Sequence, residues 1–249
     1  MGRASSLEEQ AVAKVVQDER RTPAKGPASA ATLAEIAAKH NTDKDSEGRA
    51  LIRIYDWLLK DRRGVPTRLL EIGVAHGGSL RMWRDYFAEV ELIGVELDPA
   101  VSQYASEGFT ILIGDQSDPA LLEDLIENHG PFDVVIDDGS HYCEHQIATL
   151  QALWPAVVPG GLYAVEDTHT SYFPRYHGGY RKPGAFMEYA KQAVDDPNQR
   201  WHQRPPLLPR LESVQVYPEL CVFTKARELI YDGEPPNEWT LNHLNEVTA

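Results

Sequence analysis

A chain of 249 residues is long enough for one domain with a substantial core, or one domain with a small appendage. Its formal charge of −14 argues against a nucleic-acid partner and against an anionic membrane surface, both of which require a basic face. Two cysteines, Cys143 and Cys221, are too few for a disulfide framework or a four-cysteine zinc site and fit the reducing cytoplasm, and no segment is long and apolar enough to span a bilayer.

Residues 7–21 have the pattern of a charged amphipathic helix, the linker "TPAKGPASAA" follows, and "TLAEIAAKH" predicts a second helix ending near His40. From residue 67 short apolar runs alternate with helical stretches. "RLLEIGV", "VELIGVEL", "FTILIGD", "FDVVIDD" and "GLYAVED" read as strands. "SLRMWRDYF", a stretch near 99–106, "PALLEDLIENHG" and "CEHQIATLQALWPAVV" read as the helices between them. The last strand is launched from the turn Pro159-Gly160-Gly161. "RLESVQVYPELCVFTK" then predicts an antiparallel hairpin around Tyr217-Pro218-Glu219. The outline is an α/β doubly wound, Rossmann-like sheet, mostly parallel, with a C-terminal antiparallel hairpin. Residues 1–45 are read as a helical extension and linker, 46–230 as the main domain and 231–249 as a tail.

Ligands of such sheets sit beyond the carboxyl ends of the strands. Those ends carry "EIGVAHGGSL", "VELDP", "GDQSD", "DDGSH" and "EDTHTSY", each with an acidic residue. Gly73 and the Gly77-Gly78 pair allow close backbone approach, yet the spacing is not G-x-G-x-x-G and no P-loop lysine follows. Glu71, just before Gly73, would repel a pyrophosphate but suits a cation. Glu96 lies one βα unit on, where an acidic side chain accepts from ribose hydroxyls. Together they point to a ribose-bearing, unphosphorylated, positively charged cofactor; S-adenosyl-L-methionine fits that description and NAD fits it poorly.

Two metal sites compete in "VVIDDGSHYCEHQ". His141-Tyr142-Cys143-Glu144-His145 matches H-x-x-E-H, which in a zinc hydrolase requires His141 and His145 on one helical face. Ser140 as N-cap would put them one turn apart. The other reading gathers Asp138 with Glu166-Asp167, because the two strands should be neighbours. Three carboxylates without a counter-ion repel one another, and Mg²⁺ or another hard divalent cation removes that conflict. The plain alternative is that Asp137-Asp138 caps the next helix while Glu166-Asp167 is solvated.

"LLEIGVAHGGSLRMWRDYF", the run from "FDVVIDDGSHYCEHQ" to "GGLYAVEDTHTSY", and the upstream "NTDK" resemble the macrocin- and mycinamicin-type sugar O-methyltransferases. These are metal-dependent class I enzymes that use S-adenosyl-L-methionine to modify deoxysugars of polyketide antibiotics. The resemblance covers about residues 40–175 and is most specific in the DDGSH and ED motifs. It implies Asp138, Glu166 and Asp167 as Mg²⁺ ligands and His141 as general base. It implies Glu71, Gly73, Glu96, Asp115 and Asp137 around the cofactor, with Gln116 toward the adenine. Thr42-Asp43-Lys44 matches a stretch expected to fold over the site, with no role assigned to its residues. A small-molecule glycoside as substrate and a cytoplasmic homo-oligomer are further implications. Larger members carry an extra N-terminal domain that helps assembly, whereas about 40 residues precede the motif region here.

Metal-assisted loss of a hydroxyl proton to an imidazole, whose ordinary pKa is about 6.5, would generate the nucleophile. The acceptor pocket is expected from residues 168–186 and the stretch near Trp201, with Tyr172, Phe173 and Tyr176 as aromatic surface and Gly178-Gly179 as the hinge of a lid. Other classes consistent with the sequence are a methyltransferase of another small molecule such as a catechol, a zinc hydrolase using His141 and His145, and a non-catalytic cofactor-binding protein.

Overall fold

The computed structural model describes residues 31–45, 50–202 and 204–228. The helix expected over 7–21 and the tail from 231 lie outside the described residues. Among those described, the apolar runs form seven strands of one sheet: β1 (Thr67–Ile72), β2 (Val90–Glu96), β3 (Thr110–Ile113), β4 (Phe132–Asp137), β5 (Val157–Glu166), β6 (Leu211–Tyr217) and β7 (Leu220–Lys225). The order is β3-β2-β1-β4-β5-β7-β6, with β1 to β5 parallel and β7 antiparallel to both neighbours. The doubly wound sheet and the C-terminal hairpin are therefore as expected. The order reverses between β1 and β4, where a doubly wound sheet leaves a crevice.

Side chains alternate across a strand, and the alternation assigns each strand residue to a face. Leu69, Val134, Ile136, Ala164 and Val222 pack with α1 (Leu33–His40), α2 (Leu51–Leu59) and α3 (Gly78–Tyr86). Leu70, Ile72, Val135, Tyr163, Val165 and Phe223 pack with α4 (Pro119–Asp124), α5 (Cys143–Leu153) and α6 (Phe186–Ala193). Helix α1, read from sequence as part of an extension, thus packs through Leu33, Ile36 and Ala37 on the same face as α2 and α3. Thr32 starts α1 with a capping box: its hydroxyl accepts from Glu35 N while Glu35 accepts from Thr32 N. At the other end of α1, Lys39 and His40 reach Asp85 of α3 at 2.6 and 2.8 Å.

Three local expectations change. The stretch near 99–106 is a 3₁₀ helix, Pro99–Glu107. The helix expected over 143–158 stops at Leu153, and β5 begins at Val157 and runs through the Pro159-Gly160-Gly161 turn. Pro155 has no N–H to continue the α-helical ladder, so the chain passes through a 3₁₀ turn at Trp154–Ala156, and the β-branched Val157-Val158 pair suits a strand. Helices α2 and α6 carry apolar faces that the sequence reading left unassigned.

Candidate active site

The crevice between β1 and β4 opens into a cavity of about 500 Å³, within the usual range for a small-molecule site. Gly73 forms its floor at a φ of +89°, and a Cβ there would lie 2.1 Å from the carbonyl oxygen of Asp138. Only glycine lets β1 and β4 approach so closely. Glu96 also lines the cavity, and its two oxygens accept from the amides of Val74, Ala75 and Leu97 at 2.8 to 3.0 Å. This carboxylate therefore shapes the turn after β1 as well as facing the cavity. Asp115 is exposed at the rim, and hydrogen bonds from Ser117 hold its carboxyl below the usual range.

Gln116 lines the cavity but is internally engaged. Its Nε2 donates to Asp137 at 3.0 Å and its Oε1 accepts from Ser140 N at 2.6 Å. Asp137 was expected around the cofactor; it is fully buried behind the cavity wall instead. Strand alternation turns it to the α5 face, where Tyr163 also donates to it. Burial pushes its carboxyl up to about 6, against the hydrogen bonds from Gln116, Gly139 and Tyr163.

Glu71 and Glu166 alternate to the opposite face and are likewise fully buried. The cation that meets them is a residue of this chain. Lys44 Nζ lies 2.8 Å from Asp138 Oδ2, 2.8 Å from Glu166 Oε1 and 3.3 Å from Glu71 Oε1. Tyr55 of α2 donates to Glu166 Oε1 at 2.7 Å, and Ser79 to Glu71 Oε2 at 2.7 Å. Burial raises the Glu166 carboxyl, the nearby Asp138 charge raises it further, and Lys44 and Tyr55 oppose both. Burial acts on the Lys44 ammonium in the opposite sense, but its three carboxylate neighbours outweigh it and keep the charge in place. Lys44 and Tyr55 were not predicted as partners of the carboxylates. Their sequence signal is faint, since they lie 94 positions from Asp138 and 111 from Glu166 respectively.

Asp138, His141 and Asp167 do come together, with a possible ligand atom from each within 4.8 Å of the others. His141 Nε2 is 3.5 Å from Asp167 Oδ2 and its Nδ1 is buried without a hydrogen-bond partner. Both residues hold left-handed backbone, at φ of +60° and +53°, a conformation uncommon outside glycine that Asp and His adopt more readily than most residues. Glu166 stands outside that triad, yet its Oε2 is buried and has no hydrogen-bond partner.

The zinc-hydrolase geometry is absent. α5 starts at Cys143 with Tyr142 as its N-cap residue, so His141 precedes the helix and shares no face with His145. Ser140 bonds His145 Nδ1 at 2.9 Å rather than capping the helix, and Glu144 pairs with His177. Of the expected acceptor residues, Tyr176 meets the site, with its ring centroid 6.3 Å from that of His141 and 5.8 Å from that of Tyr142. Phe173 packs on His169 at the surface and Tyr172 is exposed. The Gly178-Gly179 turn, expected as a hinge, is knit by bonds from Gly178 N to Phe173 O and from Gly179 N to Ser171 O. A Cβ on Gly178 would lie 2.3 Å from Ser171 O, so close approach explains this glycine.

A family model described as a methyltransferase domain matches residues 70–168. The 8-demethyl-8-(2-methoxy-alpha-L-rhamnosyl)-tetracenomycin-C 3'-O-methyltransferase of Streptomyces olivaceus is 36% identical over 211 residues, 78% of this chain and 54% of that protein. Demethylmacrocin O-methyltransferase of Streptomyces fradiae is 38% identical over 159 residues, 61% of this chain and 40% of its own length. The chain thus spans about half the length of these curated relatives. The structure of MycE methyltransferase from the mycinamycin biosynthetic pathway, in complex with Mg, S-adenosylhomocysteine and mycinamycin VI, has a TM-score of 0.72 at 29% identity. That match covers 86% of this chain and 58% of MycE. The motifs, the sheet and these matches agree: the chain is a relative of the macrocin- and mycinamicin-type sugar O-methyltransferases, built on the class I methyltransferase fold.

Proposed function

We propose that this chain is an S-adenosyl-L-methionine- and Mg²⁺-dependent O-methyltransferase acting on a sugar hydroxyl, a deoxysugar of a glycosylated natural product, with His141 as general base. The observation that carries the reading is the meeting of Asp138, His141 and Asp167 on the wall of the cavity that also contains Gly73 and Glu96. Gly73, Glu96, Asp115 and Gln116 are the residues available to the cofactor, and Tyr176 is the aromatic surface beside the base.

The donor set fits a hard divalent cation. It is all oxygen apart from His141, and the unpartnered Glu166 Oε2 is the kind of buried acceptor that a cation satisfies. Asp138, Glu166 and Asp167 would hold the ion. When bound, it supplies positive charge that makes a neighbouring hydroxyl more acidic. The chain's own part is to orient the acceptor and to take its proton. His141 Nδ1 is buried, so Nε2, on the Asp167 side, is the nitrogen available to receive it. Held beside Gly73, Glu96, Asp115 and Gln116, S-adenosyl-L-methionine would supply the methyl group to the acceptor oxygen, with S-adenosylhomocysteine as the leaving group. The same reading gives a cytoplasmic homo-oligomer.

Calorimetric titration of S-adenosylhomocysteine, with NAD as control, tests the cofactor; micromolar binding of the first and none of the second is expected. A methyl-transfer screen of glycosides and catechols with Mg²⁺ or EDTA then tests the acceptor and the metal. Activity should follow glycosides and vanish in EDTA. His141→Ala should lower turnover by about 10²- to 10⁴-fold while S-adenosylhomocysteine affinity stays within about threefold. Normal turnover of that variant would remove His141 as the base.

A further inference from the structure

Lys44 is buried, at 1% exposure, and the proposed reaction gives it no task. It stands in the single-turn 3₁₀ helix Asp43–Asp45 that follows α1. An ammonium has three N–H donors, and Lys44 has three carboxylate oxygens within 3.3 Å, one each from Glu71, Asp138 and Glu166. These acceptors come from β1, from the residue just after β4 and from β5. Two of them, Asp138 and Glu166, are residues we assign to the divalent ion. Lys44 occupies one oxygen of each, and the second oxygen of Glu166 is buried with no hydrogen-bond partner.

The charge balance is informative. With all three carboxylates ionised, the state that a bound divalent ion favours, they and the one ammonium leave two negative charges in the cluster, the amount that such an ion neutralises. Asp167, 20% exposed, adds a third that solvent screens. With the lysine absent, the same oxygens would present a more anionic site, of the kind that draws a cation more tightly or accepts a second.

We propose that Lys44 is a resident cation of the metal site: it fixes Asp138 and Glu166 and limits the cluster to one divalent ion of moderate affinity. Lys44 is thus a positioning residue acting through these two carboxylates. The proposal rests on the reading of Asp138 and Glu166 as holders of a divalent ion. A lysine that served only to fasten residues 41–45 to the domain would make a different prediction. Removing it would loosen the carboxylates and weaken ion binding, or leave it unchanged.

Mn²⁺ titration of the full chain, followed by the electron paramagnetic resonance of free Mn²⁺, separates the two. Lys44→Met should bind Mn²⁺ about tenfold more tightly than the parent, or take up a second equivalent. Glu71→Gln, which removes an anion close to the lysine, should bind about tenfold more weakly. The double variant Lys44→Met/Glu71→Gln restores the net charge and should return to within about threefold of the parent. It also removes both members of a buried pair, which folded proteins tolerate better than the loss of one. Should Lys44→Met fail to fold, the comparison of Glu71→Gln with the double variant carries the test, because the two differ only at Lys44. Equal affinity in that pair, or a folded Lys44→Met whose Mn²⁺ binding is weaker than the parent's or unchanged at one equivalent, overturns the proposal. A parent chain that binds no Mn²⁺ overturns the metal reading on which it stands.

Discussion

Gly73 shows how much one residue carries. Its φ of +89° and the 2.1 Å gap that a Cβ would have to Asp138 O leave no room for a side chain, and its neighbours are backbone that cannot rotate away. Gly73→Ala should cost about 2 kcal/mol or more in urea unfolding and abolish S-adenosylhomocysteine binding by calorimetry. Tyr55→Phe removes one neutral donor from Glu166 Oε1 and should cost about 1–3 kcal/mol. A urea midpoint unchanged from the parent would show that Lys44 alone satisfies that oxygen. At this scale the sequence was readable where chemistry sat inside one short motif. Asp138, His141 and Asp167 come from the DDGSH and ED runs and do meet. It was unreadable where partners were remote, as for Lys44 and Tyr55. Strand alternation was available as a warning: Glu71 and Glu166 share a parity class with Leu69 and Ala164, and Asp137 with Val135. A rim of acids therefore divides between two faces.

Among the elements, α1 shows how terminal residues dock a helix. Thr32 and Glu35 fix its start, and Asp85 of α3 receives Lys39 and His40 at its end. Burial pushes the Asp85 carboxyl up, but the hydrogen bonds from Lys39 and His40 outweigh it and hold it below its usual value of 3.8. A carboxyl lowered by folding contributes stability that is present above its unfolded pKa and is lost as pH falls through the folded one. Asp85→Asn should therefore lower stability by about 1 kcal/mol at neutral pH. The gap between parent and variant thermal midpoints should close as the pH is taken below about 4. Element types were legible wherever a cap or a turn marked the boundary, as at Thr32, Pro119 and the Tyr217-Pro218-Glu219 turn. α2 and α6 lacked such marks. Their N-cap residues are Ala50 and Ala185, neither of which makes a side-chain cap, and Pro183-Gly184 just before α6 reads as a loop.

For the whole molecule, the hairpin is more than an edge decoration. β7 lies between β5 and β6, and Phe223, fully buried, packs edge-on against Phe186 of α6 at 6.2 Å. Phe223→Ala should cost about 3–5 kcal/mol. Because β5 ends at Glu166, the same change should weaken Mn²⁺ binding, which titration at a temperature where the variant remains folded would detect. The strand order also sets a timetable for synthesis. A ribosome releases the segment bearing Lys44 early, the strand bearing Glu166 much later, and the strand that closes beside it last of the seven. Until Glu166 emerges the ammonium has only part of its anionic cage, and until β7 follows, β5 has an open edge. Closing contacts so distant along the chain slows folding, and an unpaired strand edge invites association with other chains in the interval. The burden of expressing this protein should therefore fall on completion of the sheet, and cooler, slower synthesis should raise the yield of folded chain.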